Sequence, residues 1–238
     1  MCHQPCIDFA QTHLDEKDVK GKSIIEVGSF NVNGSLRTMV EDLYPSSYIG
    51  VDIQNGPTVD YVCDANDLVD HFGQEKFDVL ISTELLEHVR DWRNVIRNFK
   101  EILKPNGIML ITTRSKGFPY HAWPFDYWRY EISDLRVVFS DFNIKYLEKD
   151  PVAPGVFMKA VKPSVFSSNN LDSHQLYSIV KGKRVDNVRE FDIYSFKIRY
   201  KIRCILSKIL FKPIREILSN ILPDSVKRLL KKAFIIAP

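Results

Sequence analysis

The segment TELLEHV, residues 83–89, sets Glu84, Glu87 and His88 at i, i+3 and i+4 spacing. If a helix begins at Thr83, all three lie on one face. Two carboxyls and an imidazole so arranged can hold a divalent cation, and a metal there would polarise or deprotonate a hydroxyl. A second concentration of chemistry lies at residues 117–130, GFPYHAWPFDYWRY, with seven aromatic residues beside His121, Asp126 and Arg129. His121 is a candidate general base, as is His88, and His121 is also a candidate fourth ligand for the cation. Tyr120, Trp123, Asp126, Trp128 and Arg129 are candidates to line a substrate pocket, where aromatic rings can stack on a sugar or planar ring. The competing structural readings are that the Glu-His pair caps and packs a helix, and that Trp123, Phe125 and Trp128 only pack their segment. Cys2, His3 and Cys6 are ligand types, but no second ligand pair stands at a useful spacing.

A third stretch, SIIEVGSFNVNGS (23–35), runs from an apolar segment into a loop with two glycines. A dinucleotide site requires G-x-G-x-x-G, whose second glycine lets the backbone approach the pyrophosphate. Here Gly28 and Gly34 are five residues apart, and Phe30 stands in the second glycine's place. No Lys-Ser/Thr follows Gly34, so a P-loop fails as well. A phosphate cradle is disfavoured. Three acids (Glu26, Asp52 and Asp64) instead stand at the ends of three successive apolar runs, where isolated acids would read as solvated strand ends or caps.

These residues need a frame to hold them. SIIEV (23–27), YIGVDI (48–53), DYVC (60–63), FDVLIS (77–82) and GIMLITT (107–113) read as strands, with helical spacing between them. The clearest helix runs through Leu85, Leu86, Val89, Val95, Ile96, Phe99, Ile102 and Leu103 to a stop at Lys104-Pro105-Asn106-Gly107. Apolar strands interleaved with helices predict an α/β fold, a parallel sheet covered on both faces. FNIKYLEK (142–149) and VFMKAVK (156–162) close it as an antiparallel pair. The expectation is a Rossmann-like, seven-stranded, mostly parallel sheet flanked by helices, with a helical basic C-terminal extension. The domain division is 1–162 for the sheet, 163–175 for a linker of Ser, Asn and Pro, and 176–238 for a basic amphipathic tail.

The acid-to-glycine spacing at Glu26-x-Gly28, followed by GVDI after the second strand and CDAND after the third, resembles class I S-adenosylmethionine-dependent methyltransferases. The resemblance covers about residues 21–163 and rests on IIEVGSFNVNG, YIGVDI, FDVLISTELLEHV and LKPNGIMLIT, in the family's order. It implies S-adenosylmethionine as cofactor, a sulfonium with no phosphate. It implies that Asp52, with Ile53 beside it, takes the ribose and that Asp64 and Ala65 lie by the adenine. Glu26 would lie close to the methionine end, Gly28 would allow close backbone approach, Ser29 and Gly34 are further cofactor-binding candidates, and Ser82 and Thr83 would lie beneath the cofactor. E-x-x-E-H is similar to the metal site of ubiquinone-pathway O-methyltransferases and of small-RNA 2′-hydroxyl methyltransferases. PFDYWRY resembles a segment of type-11 methyltransferases, many of them associated with sugar and surface-glycan enzymes. The implied activity is O-methylation of a sugar, glycan or other small-molecule hydroxyl. The alternatives are a metal-dependent RNA 2′-hydroxyl methyltransferase and a membrane-associated scaffold with a vestigial cofactor site.

Charge divides the chain. Residues 196–238 carry 11 Lys/Arg against Glu216 and Asp224, a balance of +9, while residues 1–195 balance at −6 within a total of +3. In KIRYKIRCILSKILF (197–211), Ile198, Ile202, Ile205, Leu206, Ile209 and Leu210 share a face and the bases take the other. An anionic membrane surface is the expected partner. Nucleic acid is disfavoured, because aromatic interleaving is missing and the body is acidic. No stretch reaches the length of a spanning segment and no signal-peptide pattern opens the chain. The four scattered cysteines form no disulfide framework. A cytoplasmic body with peripheral attachment at the inner membrane face is the resulting expectation.

Overall fold

A computed structural model describes residues 3–121 and 125–221, with side chains as far as Leu206. Trp123 and the chain beyond Ile221 lie outside the described residues.

The apolar run SIIEV becomes β1 (Ser23–Val27), which is buried on both faces because helices cover both sides of the sheet. It pairs in parallel with β2 (Ser47–Asp52) on one side and β4 (Phe77–Thr83) on the other. β3 (Tyr61–Val62) extends the sheet beyond β2, and β5 (Leu103–Arg114) lies beyond β4. β8 (Gly155–Val161) then runs antiparallel to β5, with β7 (Asn143–Lys149) at the edge. The order is β3-β2-β1-β4-β5-β8-β7. It reverses between β1 and β4, so the carboxyl ends of those two strands frame the ligand crevice of an open α/β sheet.

On one face pack α4 (Leu68–Phe72), α5 (Trp92–Ile102) and α6 (Ile132–Val138), burying Trp92, Phe99 and Leu135. On the other, α1 (Gln4–His13) and α3 (Arg37–Glu41) cover Ile24, Val79, Ile81 and Phe157. Each fully buried Phe or Leu contributes about 2 kcal/mol of transfer free energy. α1 starts with Pro5 in its first turn, where the missing N–H costs nothing. The short α2 (Glu16–Val19) begins at a reciprocal box between Asp15 and Asp18.

Two expectations change. No helix begins at Thr83, because β4 continues through Thr83 and the Glu84 N–H still bonds the Thr112 carbonyl of β5. Glu84 takes a left-handed backbone (φ 55°), and a single 3₁₀ turn, Leu86–His88, follows. α5 starts only at Trp92, where the Asp91 carboxylate accepts the Asn94 N–H. The second change concerns residues 163–185. Asn169 bonds the buried Lys100 ammonium, and Arg93 donates to the carbonyls of Leu171 and His174, so the expected linker is a strap tied to the domain. β9 (Leu176–Ser178) and β10 (Lys183–Val185) follow as a hairpin rather than a helix. With β6 (Trp128–Arg129) they form a second, three-stranded antiparallel sheet. The expected tail helix is α7 (Glu190–Ile221).

Candidate active site

The glycine loop leaves β1 at Gly28, whose φ of 82° suits glycine. A Cβ there would stand 3.1 Å from Leu85 Cβ, so the loop and the turn after β4 approach backbone to side chain. The Gly28 and Ser29 N–H groups bond the Val51 carbonyl, fixing the loop to β2. Gly34 N–H is received by Asn31 Oδ1. At the end of β2, the Asp52 carboxylate accepts from the N–H groups of Phe30 (3.3 Å) and Gln54 (3.0 Å), and Ile53 stands largely exposed beside it. Asp64 accepts from the backbone and side chain of Asn66, while Ala65 packs on the core.

Glu26 is buried under the loop and receives the Tyr48 hydroxyl at 2.7 Å. Burial pushes its carboxyl up to about 7 against the opposing pull of that hydrogen bond. Ser82 and Thr83 are buried at the end of β4, and Ser82 Oγ has no hydrogen-bond partner. A glycine cradle and an orphaned hydroxyl at the switch point fit a cofactor with hydroxyl and amine groups; an acid at the β2 end fits ribose.

The residues of TELLEHV part company. Glu87, His88 and His121 converge, with one ligand atom of each within 4.8 Å of the others. Glu87 is fully buried, with Oε2 receiving the Thr113 hydroxyl and Oε1 without a hydrogen-bond partner. The Nε2 atoms of His88 and His121 each lie 3.9 Å from that Oε1. His88 Nδ1 lies 2.6 Å from the Phe125 carbonyl, and His121 Nδ1 makes a 3.0 Å ion-pair contact with Asp126. The Phe125 carbonyl favours a proton on His88 Nδ1, which leaves the His88 Nε2 lone pair toward Glu87, whereas the Asp126 carboxylate takes the His121 backbone N–H and meets the ring only as a charge.

Glu84 does not join them. Its left-handed backbone turns it toward Arg114, which it ion-pairs. Arg114 also meets Asp150 at 3.1 Å and lies over the Phe118 ring. His3 and Cys6 of the α1 region complete this second cluster, with His3 Nε2 2.9 Å from Asp150 and Cys6 Sγ 3.2 Å from Thr112 Oγ1. Burial and the neighbouring Glu87 raise the Glu84 carboxyl well above the usual range, and Arg114 opposes the shift. A cation is thus already present among His3, Cys6 and Glu84, in the form of a guanidinium. Sequence reasoning missed this cluster and the Tyr48 partner of Glu26; only the β4–β5 register brings Glu84 and Arg114 together.

In the aromatic segment the residues divide by burial. Trp128 is in the core, its indole N–H donated to the Val89 carbonyl. Asp126 and Arg129 form a buried two-pronged pair, and Arg129 also donates to the carbonyls of Phe118 and Pro119. These three hold the segment in shape. Phe118, Tyr120 and Phe125 are only half-buried. The Tyr127 N–H bonds the Glu87 carbonyl, so the segment is anchored beside the imidazole pair.

The family model described as a methyltransferase domain matches residues 4–149, and the chain belongs to that family. Its fold is that of class I methyltransferases. Among curated proteins, it is 42% identical over 116 residues to a ubiquinone biosynthesis O-methyltransferase of Haemophilus ducreyi, covering 47% of this chain and 43% of that one. A protein of the same name from Pelagibacter ubique is 30% identical over 107 residues, 43% and 38% of the two chains. The chain spans less than half the length of these relatives. Among solved structures, magnesium protoporphyrin IX methyltransferase from Synechocystis PCC 6803, with bound SAM, superposes with a TM-score of 0.52 at 16% identity, covering 67% of this chain and 79% of that one.

Proposed function

We propose that this chain is an S-adenosylmethionine-dependent O-methyltransferase acting on a ring-borne hydroxyl of a small molecule, with sugars and planar rings both in scope. The observation that carries it is the meeting of His88 and His121, each with Nε2 3.9 Å from a buried Glu87 oxygen that makes no hydrogen bond, one strand from the glycine cradle. When bound, the cofactor supplies an electrophilic methyl on a sulfonium, open to in-line displacement. Gly28 lets the backbone come close, Asp52 accepts the ribose hydroxyls, and Ser82 Oγ offers a polar contact beneath. His121, oriented by Asp126, takes the acceptor proton at Nε2, which raises the nucleophilicity of the hydroxyl oxygen. In a metal-loaded form, Glu87, His88 and His121 would instead hold a divalent cation, with His121 Nε2 as ligand rather than base, and the cation would polarise that hydroxyl. Phe118, Tyr120 and Phe125, braced by Arg114, Phe196 and Lys197, would wall the acceptor side and exclude water. The names of the curated relatives support oxygen as the methylated atom.

Calorimetric titration with S-adenosylhomocysteine, for wild type and for Asp52→Ala, tests the cofactor half. Micromolar binding by wild type, weakened at least tenfold in the variant, is expected; no binding by wild type overturns the reading.

A further inference from the structure

α7 has two apolar faces. On one side Phe196 and Tyr200 pack against Tyr120 of the aromatic segment, with ring centroids 4.9 and 5.0 Å apart, and Lys197 lies over the Phe125 ring. The other side faces outward. At about 100° per residue, Phe191, Tyr194, Ile198, Ile202 and Ile205 fall within an arc of about 80°. Phe191 is 77% exposed, Tyr194 66% and Ile202 51%. Soluble surfaces rarely leave such a row of large apolar side chains uncovered.

Charge identifies the cover. From Ile193 to Arg215 the chain has seven Lys/Arg and no acid. Arg199 and Arg203 flank the stripe on one edge and Lys201 on the other, where long stems can lie along apolar surface with their charges at headgroup level. The stripe also runs into a basic cleft. Phe191 lines it with Lys181, Lys183, Arg184 and Arg189, alongside Asp186 and Asp192. Lys181 is paired with Asp192 and Arg184 with Asp134, while Lys183 and Arg189 stand exposed. No described helix is long and apolar enough to cross a membrane, so an apolar stripe edged by bases suits contact in the plane of the interface.

We propose that α7 docks on an anionic bilayer through Phe191, Tyr194, Ile198, Ile202 and Ile205. Its opposite face, through Phe196 and Tyr200, then holds the Tyr120 segment beside the lipid surface. Given the methyltransferase reading, an acceptor carried on a lipid or other amphiphile follows.

The test is flotation of the full chain with vesicles of phosphatidylcholine alone and of phosphatidylcholine with phosphatidylglycerol, alongside an Ile198→Glu/Ile202→Glu double variant. Both positions are exposed and remote from the cofactor cradle. The proposal expects binding to the anionic vesicles only, weakened by high salt, with at least tenfold loss in the variant. The variant's melting temperature and S-adenosylhomocysteine affinity should stay unchanged. Absence of binding, equal binding to neutral vesicles, or an unaffected variant overturns it. So does a concentration-dependent dimer abolished by the variant, which would assign the stripe to a second copy, or capture of RNA in place of vesicles. Because cofactor affinity is read separately, failure here leaves the proposed reaction standing, and failure there leaves the docking.

Discussion

Asp126 shows how a residue chosen for chemistry can first serve structure. Burial alone would push its carboxyl up, but the Arg129 guanidinium and His121 bring it down to about 2. A folded value below the unfolded one stabilises the protein above the ordinary carboxylate range and is lost as pH falls through about 2. Asp126→Asn leaves Arg129 buried without its counter-charge, so we expect a loss of about 3–5 kcal/mol in urea unfolding at neutral pH. Glu26 runs the other way. Its folded value of about 7 lies above the ordinary 4.5, so the folded chain keeps a proton that the unfolded chain has released in that window. Stability therefore falls as pH rises from 4.5 to 7. Glu26→Gln should flatten that slope, shifting the stability difference between variant and wild type by up to about 3 kcal/mol across it. Chemical denaturation at several pH values reads the effect; parallel curves would contradict it.

At the scale of elements, the turn after β4 decides the site. A helix starting at Thr83 would have lined up Glu84, Glu87 and His88. The strand instead continues through Thr83, and Glu84 swings to Arg114 while Glu87 and His88 meet His121. β9 decides how much of the chain is domain. It pairs with β6 and lies next to the buried Trp128, while Arg184 grips Asp134 through two hydrogen bonds. A chain ended after residue 162 exposes β6 and takes the Asn169 oxygen from buried Lys100, leaving it Asp141 and the Val138 carbonyl. We expect it to be insoluble or to melt more than 10 °C lower, because losses of several kcal/mol each shift the midpoint by about 2–4 °C per kcal/mol. A chain ended after residue 189 keeps the second sheet and should melt within a few degrees of wild type. Equal melting of both would show that the strap is dispensable.

For the whole molecule, charge and apolarity divide along the chain. The acidic body carries the proposed site, and the basic extension begins inside α7, after Asp192. Much of this was legible in the sequence. β1 came out residue for residue as expected, since a run buried on both faces has one strand reading and clear borders. The seven strands of the main sheet, its closing antiparallel pair and the places of Gly28, Asp52 and Asp64 at strand ends follow from motif spacing, while the order of the strands came from the structure. The strands β6, β9 and β10 are two or three residues long and carry no period to read. Other side-chain partnerships across distant segments were equally hidden. The Glu84–Arg114 pair is no property of local spacing, whereas His121 was already a candidate partner for Glu87 and His88, and the structure removes only Glu84 from that group. The sequence by itself determined the fold class, the glycine cradle and the amphipathic tail, because each is a periodic or contiguous pattern along one stretch of chain. Which acids share a site was decided only in three dimensions. Strand register and the left-handed turn at Glu84 set the direction of each side chain, and both arise from contacts between residues far apart in sequence.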